Sequence, residues 1–382
     1  MITIRPGSRA YNLLLLLSLV GEYPMRSLSI IGNERDLKQY IRQLETIQDY
    51  RYLKDGKVYR GRMMQVSGRS KARTLRLNKG VLPILNSIHP EALENYMNTY
   101  RGHVFSGDHF HVLRNHRISE ALAMCWKAGI EVRPYLLPKL QREGFRNKPL
   151  DCPSYYIAKD LKKIDTLEQE KTAYTRIVGI LFYPGGVYAV YNTREAVMKW
   201  VGRGEFKTID NFSAQFRTDA NYYGRPPAIL FGKNAELAIN TLQESEITNT
   251  KEMSLDKIYP QLHFLPMDRN GIRLLRMLVI PDWKNRMLNA LIQDVMRVKS
   301  IGSVECDGEW EDNFYLSHLD GDIARLRRFR GQIVGIAQKF TVLCYPWQAP
   351  FLREYLGPVV TLKQVEMDWL EEVLEITPYS DL

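Results

Sequence analysis

The stretch KARTLRLNKGVLPIL, Lys71–Leu85, alternates cations with leucines and turns apolar beyond Asn78-Lys79-Gly80. Alternation with period two marks a half-buried strand, and the apolar run after the Lys-Gly pair suits a short helix. On this pattern Leu75 and Leu77 face inward and Lys71 and Arg73 face outward. Leu82, Ile84 and Leu85 then belong to a closing helix. What precedes the stretch decides whether it is a solvated charge run or part of a nucleic-acid-binding module.

Working backward, Ser67-Gly68-Arg69-Ser70 is a turn, and Asp55-Gly56 is a hairpin signal between short alternating segments. Before them Asn33 can cap a helix, with Asp36 at its third position. Leu37, Tyr40, Ile41 and Leu44 recur at helical spacing as its inward face, leaving Arg35, Lys38, Gln39, Arg42 and Gln43 on the other side. Two helices come earlier: the apolar Tyr11–Val20, broken by Gly21-Glu22-Tyr23-Pro24, and Met25–Gly32, ended by glycine. Three helices followed by a basic β-hairpin is the plan of a winged helix-turn-helix. A helix bearing Arg, Lys and Gln can read base edges in the major groove. Arg60, Arg62, Arg69, Lys71 and Arg73 on a wing can neutralise phosphates and release counterions.

Charge is distributed in keeping with that plan. The 382 residues carry a formal net charge of +10. Met1–Ile88 holds 16 Lys and Arg against 6 Asp and Glu, so the whole excess lies in the first quarter of the chain. Duplex DNA is the expected partner of such a block. The plainer alternative is a protein-interaction module with a solvated positive face.

Other features set bounds. The hydrophobic fraction of 45% and charged fraction of 25% are ordinary for a globular protein, and the length suits two or three domains. Four scattered cysteines, Cys125, Cys152, Cys306 and Cys344, form no Cys-x-x-Cys pair, which fits a reducing cytoplasm rather than a disulfide scaffold. The Leu13–Leu17 run is too short to span a bilayer and is followed by no small-residue cleavage site, so a buried helix and no membrane association are expected.

The segment RGHVFSGDHFHVLRNHRISEALAMCWKAG holds His103, His109, His111 and His116. His109-x-His111 and His116-x-x-x-Glu120 supply candidate metal ligands, yet the spacing is not His-Glu-x-x-His. The simpler account places His116 near the start of an amphipathic helix Ile118–Ala128, with Glu120 stabilising its first turn. No metal or cofactor is assigned. Further on, Arg176–Thr193, divided by Pro-Gly-Gly, is the clearest hairpin pattern in the chain.

A winged helix, the His-led helix NHRISEALAM (Asn115–Met124), the hairpin and its continuation VYNTREAVMKW (Val190–Trp200) together resemble the replication-relaxation family of Gram-positive plasmids and integrative and conjugative elements. The resemblance covers roughly residues 11–202 and lies in layout more than in a sharp motif. It implies double-stranded DNA binding tied to replication, relaxation or conjugative transfer of a mobile genetic element. It also implies a second domain similar to restriction-endonuclease-like folds, which need clustered carboxylates and a cation for two-metal chemistry. Glu120 could serve as the helical acid there, but the corresponding hairpin positions, Ile177–Ile180 and Tyr191-Asn192-Thr193, carry no carboxylate. A degenerate domain without catalytic residues is therefore expected. Asp160, Asp165 and Glu168 lie close by in sequence and suit a solvated loop.

From Pro226 onward the pattern reads as apolar strands alternating with amphipathic helices. AILFG precedes NAELAINTL, LRMLVI precedes PDWKNRMLNALIQDV, and NFYLSHL precedes DGDIARLRRF. FTVLCYP then precedes WQAPFLREYL, and VVTL precedes KQVEMDWLEEVL. This predicts an open, largely parallel α/β sheet, with Asp282, Asp320 and Asp322 beyond strand ends. Asp320-Gly321-Asp322 is similar to the Asp-x-Asp of Toprim domains, but Phe231 stands where their glutamate belongs. A helix-capping role is the simpler account of the Asp pair. GSVECDGEWEDN (Gly302–Asn313) reads as a solvated acidic loop, and no phosphate-binding glycine motif occurs.

The expectation is a multidomain α+β and α/β protein. It comprises a winged helix-turn-helix over 1–88, a degenerate nuclease-like α/β domain over 89–225, and a C-terminal α/β domain over 226–382. Arg35, Lys38, Gln39, Arg42, Gln43, Arg60, Arg62, Arg69, Lys71 and Arg73 are the candidate DNA contacts. A homodimer and a relaxase or replication protein are further candidate partners. Two alternatives stay open: a metal-dependent nuclease or Toprim-like phosphoryl transferase using Asp320, Asp322 and Glu305, and an adaptor linking DNA to a relaxase or replication initiator.

Overall fold

The computed structural model describes residues 1–105, 107–132, 152–158, 176–198, 226–247, 255–292, 296–298, 300–301, 304–377 and 379. They form a mixed α+β protein with several small sheets. The chain divides into two compact units: Met1–Gly144 with Tyr155–Asp165 and Asp381–Leu382, and Phe145–Ser154 with Thr166–Ser380.

In the first unit the order is β1 (Ile2–Ile4), α1 (Arg9–Val20), β2 (Glu22–Pro24), α2 (Leu28–Ile31), α3 (Glu34–Leu44), β3 (Gln48–Tyr52), β4 (Val58–Gly61), β5 (Met64–Ser67), β6 (Thr74–Leu77), α4 (Leu82–Ile88), α5 (Pro90–Thr99) and α6 (His109–Lys127). The apolar run expected to be a buried helix is α1, which Ser8 caps and whose Leu13, Leu14, Leu16 and Leu17 are buried. Gly21 ends it in the left-handed region (φ 70°), where a side chain would also collide with the ring of Tyr100. The segment read as a mere helix break, Glu22–Pro24, is a strand. It pairs antiparallel with β6, and β6 pairs antiparallel with β5, giving the sheet order β2-β6-β5. Leu75 and Leu77 face inward, as their alternation predicts, and are fully buried.

The single basic hairpin of the sequence reading is two hairpins in two sheets. Asp55-Gly56 turns β3 into β4, and β3 also pairs in parallel with β1, whose Ile-Thr-Ile was not read as a strand. The second hairpin, β5–β6, belongs to the β2 sheet. Arg60 therefore lies on the first hairpin and Arg69, Lys71 and Arg73 on the turn of the second.

The expected boundary between residues 88 and 89 does not hold, because α6 is part of the first unit's core. It begins at His109, capped by Asp108, rather than at Ile118, and buries Ile118, Ala121, Leu122, Met124 and Cys125. Ser119 Oγ donates to Glu22 O, Asn115 Nδ2 donates to Glu22 Oε2 (2.9 Å), and Ser27 Oγ donates to Glu120 Oε1 (2.5 Å). A buried carboxylate needs such partners to offset its lost hydration.

In the second unit the hairpin Ile177–Tyr183/Gly186–Arg194 forms where the sequence pattern placed it. Gly186–Arg194 runs parallel to Ala228–Gly232, which runs parallel to Leu262–Pro266. That sheet crosses the expected boundary between residues 225 and 226, which therefore also fails. A second sheet joins Gly308–Trp310, Asn313–Ser317, Lys339–Cys344 and Val360–Gln364, the last three in parallel. Parallel strands alternate with helices as expected, but in two sheets rather than the single open sheet predicted, and two segments also depart from the reading. LRMLVI is not a strand: it lies mostly within the helix Arg269–Leu278, capped by Asp268, whose side chain accepts from Asn270 N and Gly271 N. The strand lies earlier, at Leu262–Pro266. In the acidic segment 302–313, the described residues 304–313 form no solvated loop either. Cys306 and Asp307 are buried, and Glu311-Asp312 make a tight turn with φ of 48° and 58°.

Candidate nucleic-acid interface

Helix α3 forms because Asn33 satisfies its first free amides: Asn33 Oδ1 accepts from Arg35 N (3.0 Å) and Asp36 N (3.2 Å). Leu37, Ile41 and Leu44 are buried, which directs Arg35, Lys38, Gln39, Arg42 and Gln43 to solvent, and all five are exposed. Lys38 pairs with Glu34 one turn back at 2.5 Å, an exposed pair that water and salt weaken. The end of α3 is tied to the second hairpin. Met63 N donates to Leu44 O (3.0 Å), and Val66 N donates to Glu45 Oε1 (2.8 Å).

The β5–β6 turn is built on Gly68, whose φ is 78° and where a side chain would meet the carbonyl of Ala72 at 2.4 Å. Only glycine allows the chain to double back so closely. Ala72 N then bonds Arg69 O (3.1 Å), Arg73 N bonds Ser70 O (3.2 Å), and Arg73 O accepts from Met25 N (3.0 Å). Arg69, Lys71 and Arg73 stand exposed on this folded-back loop, and Arg60 and Arg62 are exposed as well. Arg60 faces Asp49 across its hairpin at 3.9 Å. All ten residues singled out from the sequence thus reach solvent.

The base of that turn is braced from α6. Thr74 Oγ1 bonds Ala72 O (2.8 Å) and meets His116 Nε2 at 2.7 Å. His116 is fully buried and its pKa falls to about 4, through burial first and then the nearby charges of Arg26, Arg76 and His109. It therefore stays neutral at physiological pH. Three of the four clustered histidines go to separate partners: His103 meets Tyr96, His111 meets Asp108, and His116 meets Thr74. Among the described residues no group of three or more His, Cys, Asp or Glu is placed to hold a metal ion.

Local sequence pattern misses one polar tie. Glu22, 1% exposed, accepts from Arg76 Nη2 and from Asn115, joining β2, β6 and α6. A lone glutamate after a glycine gives no hint of partners 54 and 93 residues away.

The carboxylates weighed for phosphoryl transfer do something else. Asp322 caps the helix Ile323–Gln332, its Oδ1 accepting from Ala324 N (3.0 Å), Arg325 N (3.1 Å) and Leu262 N (3.0 Å). Asp320 Oδ1 accepts from Asp322 N (3.0 Å), and both residues are buried. Burial and the adjacent Asp320 push the Asp322 carboxyl up; burial acts on Asp320 too, but His263, Lys284 and His318 outweigh it and hold that carboxyl down. Glu305 is engaged by Arg328 (3.0 Å) and Arg325 (3.7 Å), while Asp307 and Arg325 form a buried bidentate pair at 2.8 and 2.9 Å. Phe231, at the position of the Toprim glutamate, is a buried strand residue. Asp160, Asp165 and Glu168 lie outside the described residues.

Among the described residues no helix is long and apolar enough to cross a membrane. Compared with protein-family models, with curated proteins and with solved structures, the chain matches none.

Proposed function

We propose that the chain binds double-stranded DNA through an N-terminal winged helix, and that this binding assists or regulates replication, relaxation or conjugative transfer of a mobile genetic element. In this assignment α1, α2 and α3 are the three helices, β2, β6 and β5 the sheet, and residues 68–73 the wing. The β3–β4 hairpin and β1 are additions to that plan. One observation carries the assignment: the ten candidate contacts are all exposed, in the quarter of the chain that holds its entire charge excess. Helix α3 would supply base contacts and the wing phosphate contacts. The link to a mobile element rests on the resemblance of the sequence layout to the replication-relaxation family.

The test uses the full chain, since cutting at residue 88 would strip α6 from the core. Anisotropy of a labelled duplex is followed across a salt series for the native protein and for R69A/K71A/R73A. Each phosphate neutralised contributes about −0.9 to the slope of log K against log salt, so the triple variant should flatten it by up to about 2.7. Absence of binding, or an unchanged slope in the variant, would refute the assignment.

A further inference from the structure

A cavity of about 450 Å³ lies in the first unit between the β5–β6 hairpin and the loop that follows α5. That volume is within the usual range of small-ligand sites. Gln65 comes from β5 and Arg76 from β6, Asn78 and Lys79 follow β6, and His103 and Phe105 come from the loop. The fixed charges in the wall are cationic, Arg76 and Lys79, and among the described residues no carboxylate lines it. Glu22, which pairs with Arg76, is buried and also bonded to Asn115.

Two further observations point to a binding site. Asn78 spends its Oδ1 on Gly80 N (3.0 Å), which leaves its amide N–H groups to donate. Arg101, Gly102 and His103 take left-handed φ values in succession, 47°, 69° and 71°. Strain of this kind at non-glycine residues collects at binding and catalytic loops. Here it presents His103, whose Nδ1 is fixed by Tyr96 Oη at 2.6 Å. Burial first, and then Lys79 and Arg76, lower the pKa of His103.

We propose that this cavity binds a phosphate oxyanion carried by a free small ligand of roughly mononucleotide size. Arg76, Lys79 and Asn78 donate to the oxyanion. The cavity exceeds a bare phosphate, and Phe105, with the Arg76 guanidinium 4.6 Å from its ring centre, offers the rest of the ligand an apolar wall. The assignment does not depend on DNA binding, but it places a ligand against the two strands whose turn carries Arg69, Lys71 and Arg73.

Titration calorimetry of the full chain with adenosine 5′-monophosphate, pyrophosphate and adenosine tests it, alongside duplex binding by the same proteins. Both phosphate probes should bind and adenosine should not. Exposed Lys79→Ala should weaken them about tenfold, or about 1.4 kcal/mol, with an unchanged circular dichroism spectrum. His103→Asn, which tolerates the left-handed backbone, should weaken them as well. Silence from both phosphate probes at millimolar concentration would overturn the proposal, as would equal affinity in both variants. Phosphate probes that fail while Lys79→Ala weakens duplex binding would overturn it too, because the phosphate recognised would then be that of the DNA backbone.

Discussion

Acid should weaken the first unit through His116, and by an amount the structure sets. His116 is fully buried, with Nε2 on Thr74 and Nδ1 without a partner among the described residues. Protonation would place a charge with no acceptor beside Arg26, Arg76 and His109. The folded pKa of about 4 lies below the unfolded value of 6.5, so the neutral form is the one that folding favours. Its contribution is complete above pH 6.5 and is lost progressively as pH falls toward 4. At 1.36 kcal/mol per unit the full loss is about 3.4 kcal/mol, and at pH 4.5 it is about 2.6 kcal/mol. Domain stabilities run to only about 5–15 kcal/mol, so the effect is large. Carboxylates also titrate in this range, and the comparison that isolates the histidine is His116→Gln, whose amide can still meet Thr74. Hydrogen exchange of the amides in α6, followed at pH 7.5 and 4.5 with urea, reports this unit directly. The native chain should lose about 2–3 kcal/mol more protection than the variant between those pH values. Equal losses would show that His116 is not held neutral by its surroundings.

Two substitutions probe the second unit. A side chain at Gly271 would lie 1.8 Å from the carbonyl oxygen of Pro266, where the helix Arg269–Leu278 leaves its strand. Gly271→Ala should therefore lower stability by about 3 kcal/mol or more as overpacking, whereas Gly331→Ala, in open space within a helix, should raise it by about 0.5–1 kcal/mol; melting temperatures that move alike would contradict both. Asp307→Ala removes the bidentate partner of the buried Arg325, leaving Glu305, Asp320 and Asp322 as the acids near it, and should cost about 3 kcal/mol, much of it recovered in D307A/R325M. A double variant no more stable in urea than the single one would mean that the pair acts otherwise than through charge burial.

What could be read ahead of the structure is what depends on near neighbours in the chain. Asn33 as a cap, the exposed stripe of α3, the Gly68 turn and the Arg176–Thr193 hairpin each follow from residues within a few positions of one another, and each is present. Alternation of strand and helix beyond residue 226 was legible for the same reason. LRMLVI misled because a short apolar run has no period of its own. Its helical partners Ile272 and Leu275 and the capping Asp268 lie at and before its start and were not weighed with it. The extent of each unit was not legible at all, because it is decided by polar side chains that meet across long separations. Glu22 finds Arg76 and Asn115, Ser27 finds Glu120, and Thr74 finds His116. Buried polar groups must be satisfied wherever partners exist, and hydrophobic periodicity is silent about where that is. The histidines show the consequence: close in sequence and suggestive of a metal, three of the four serve three separate partners. One of them braces the very turn that carries the cations. The exposed basic surface was therefore visible in local pattern and charge, while the scaffold that gives this surface its shape includes a helix that the same pattern assigned to a different domain.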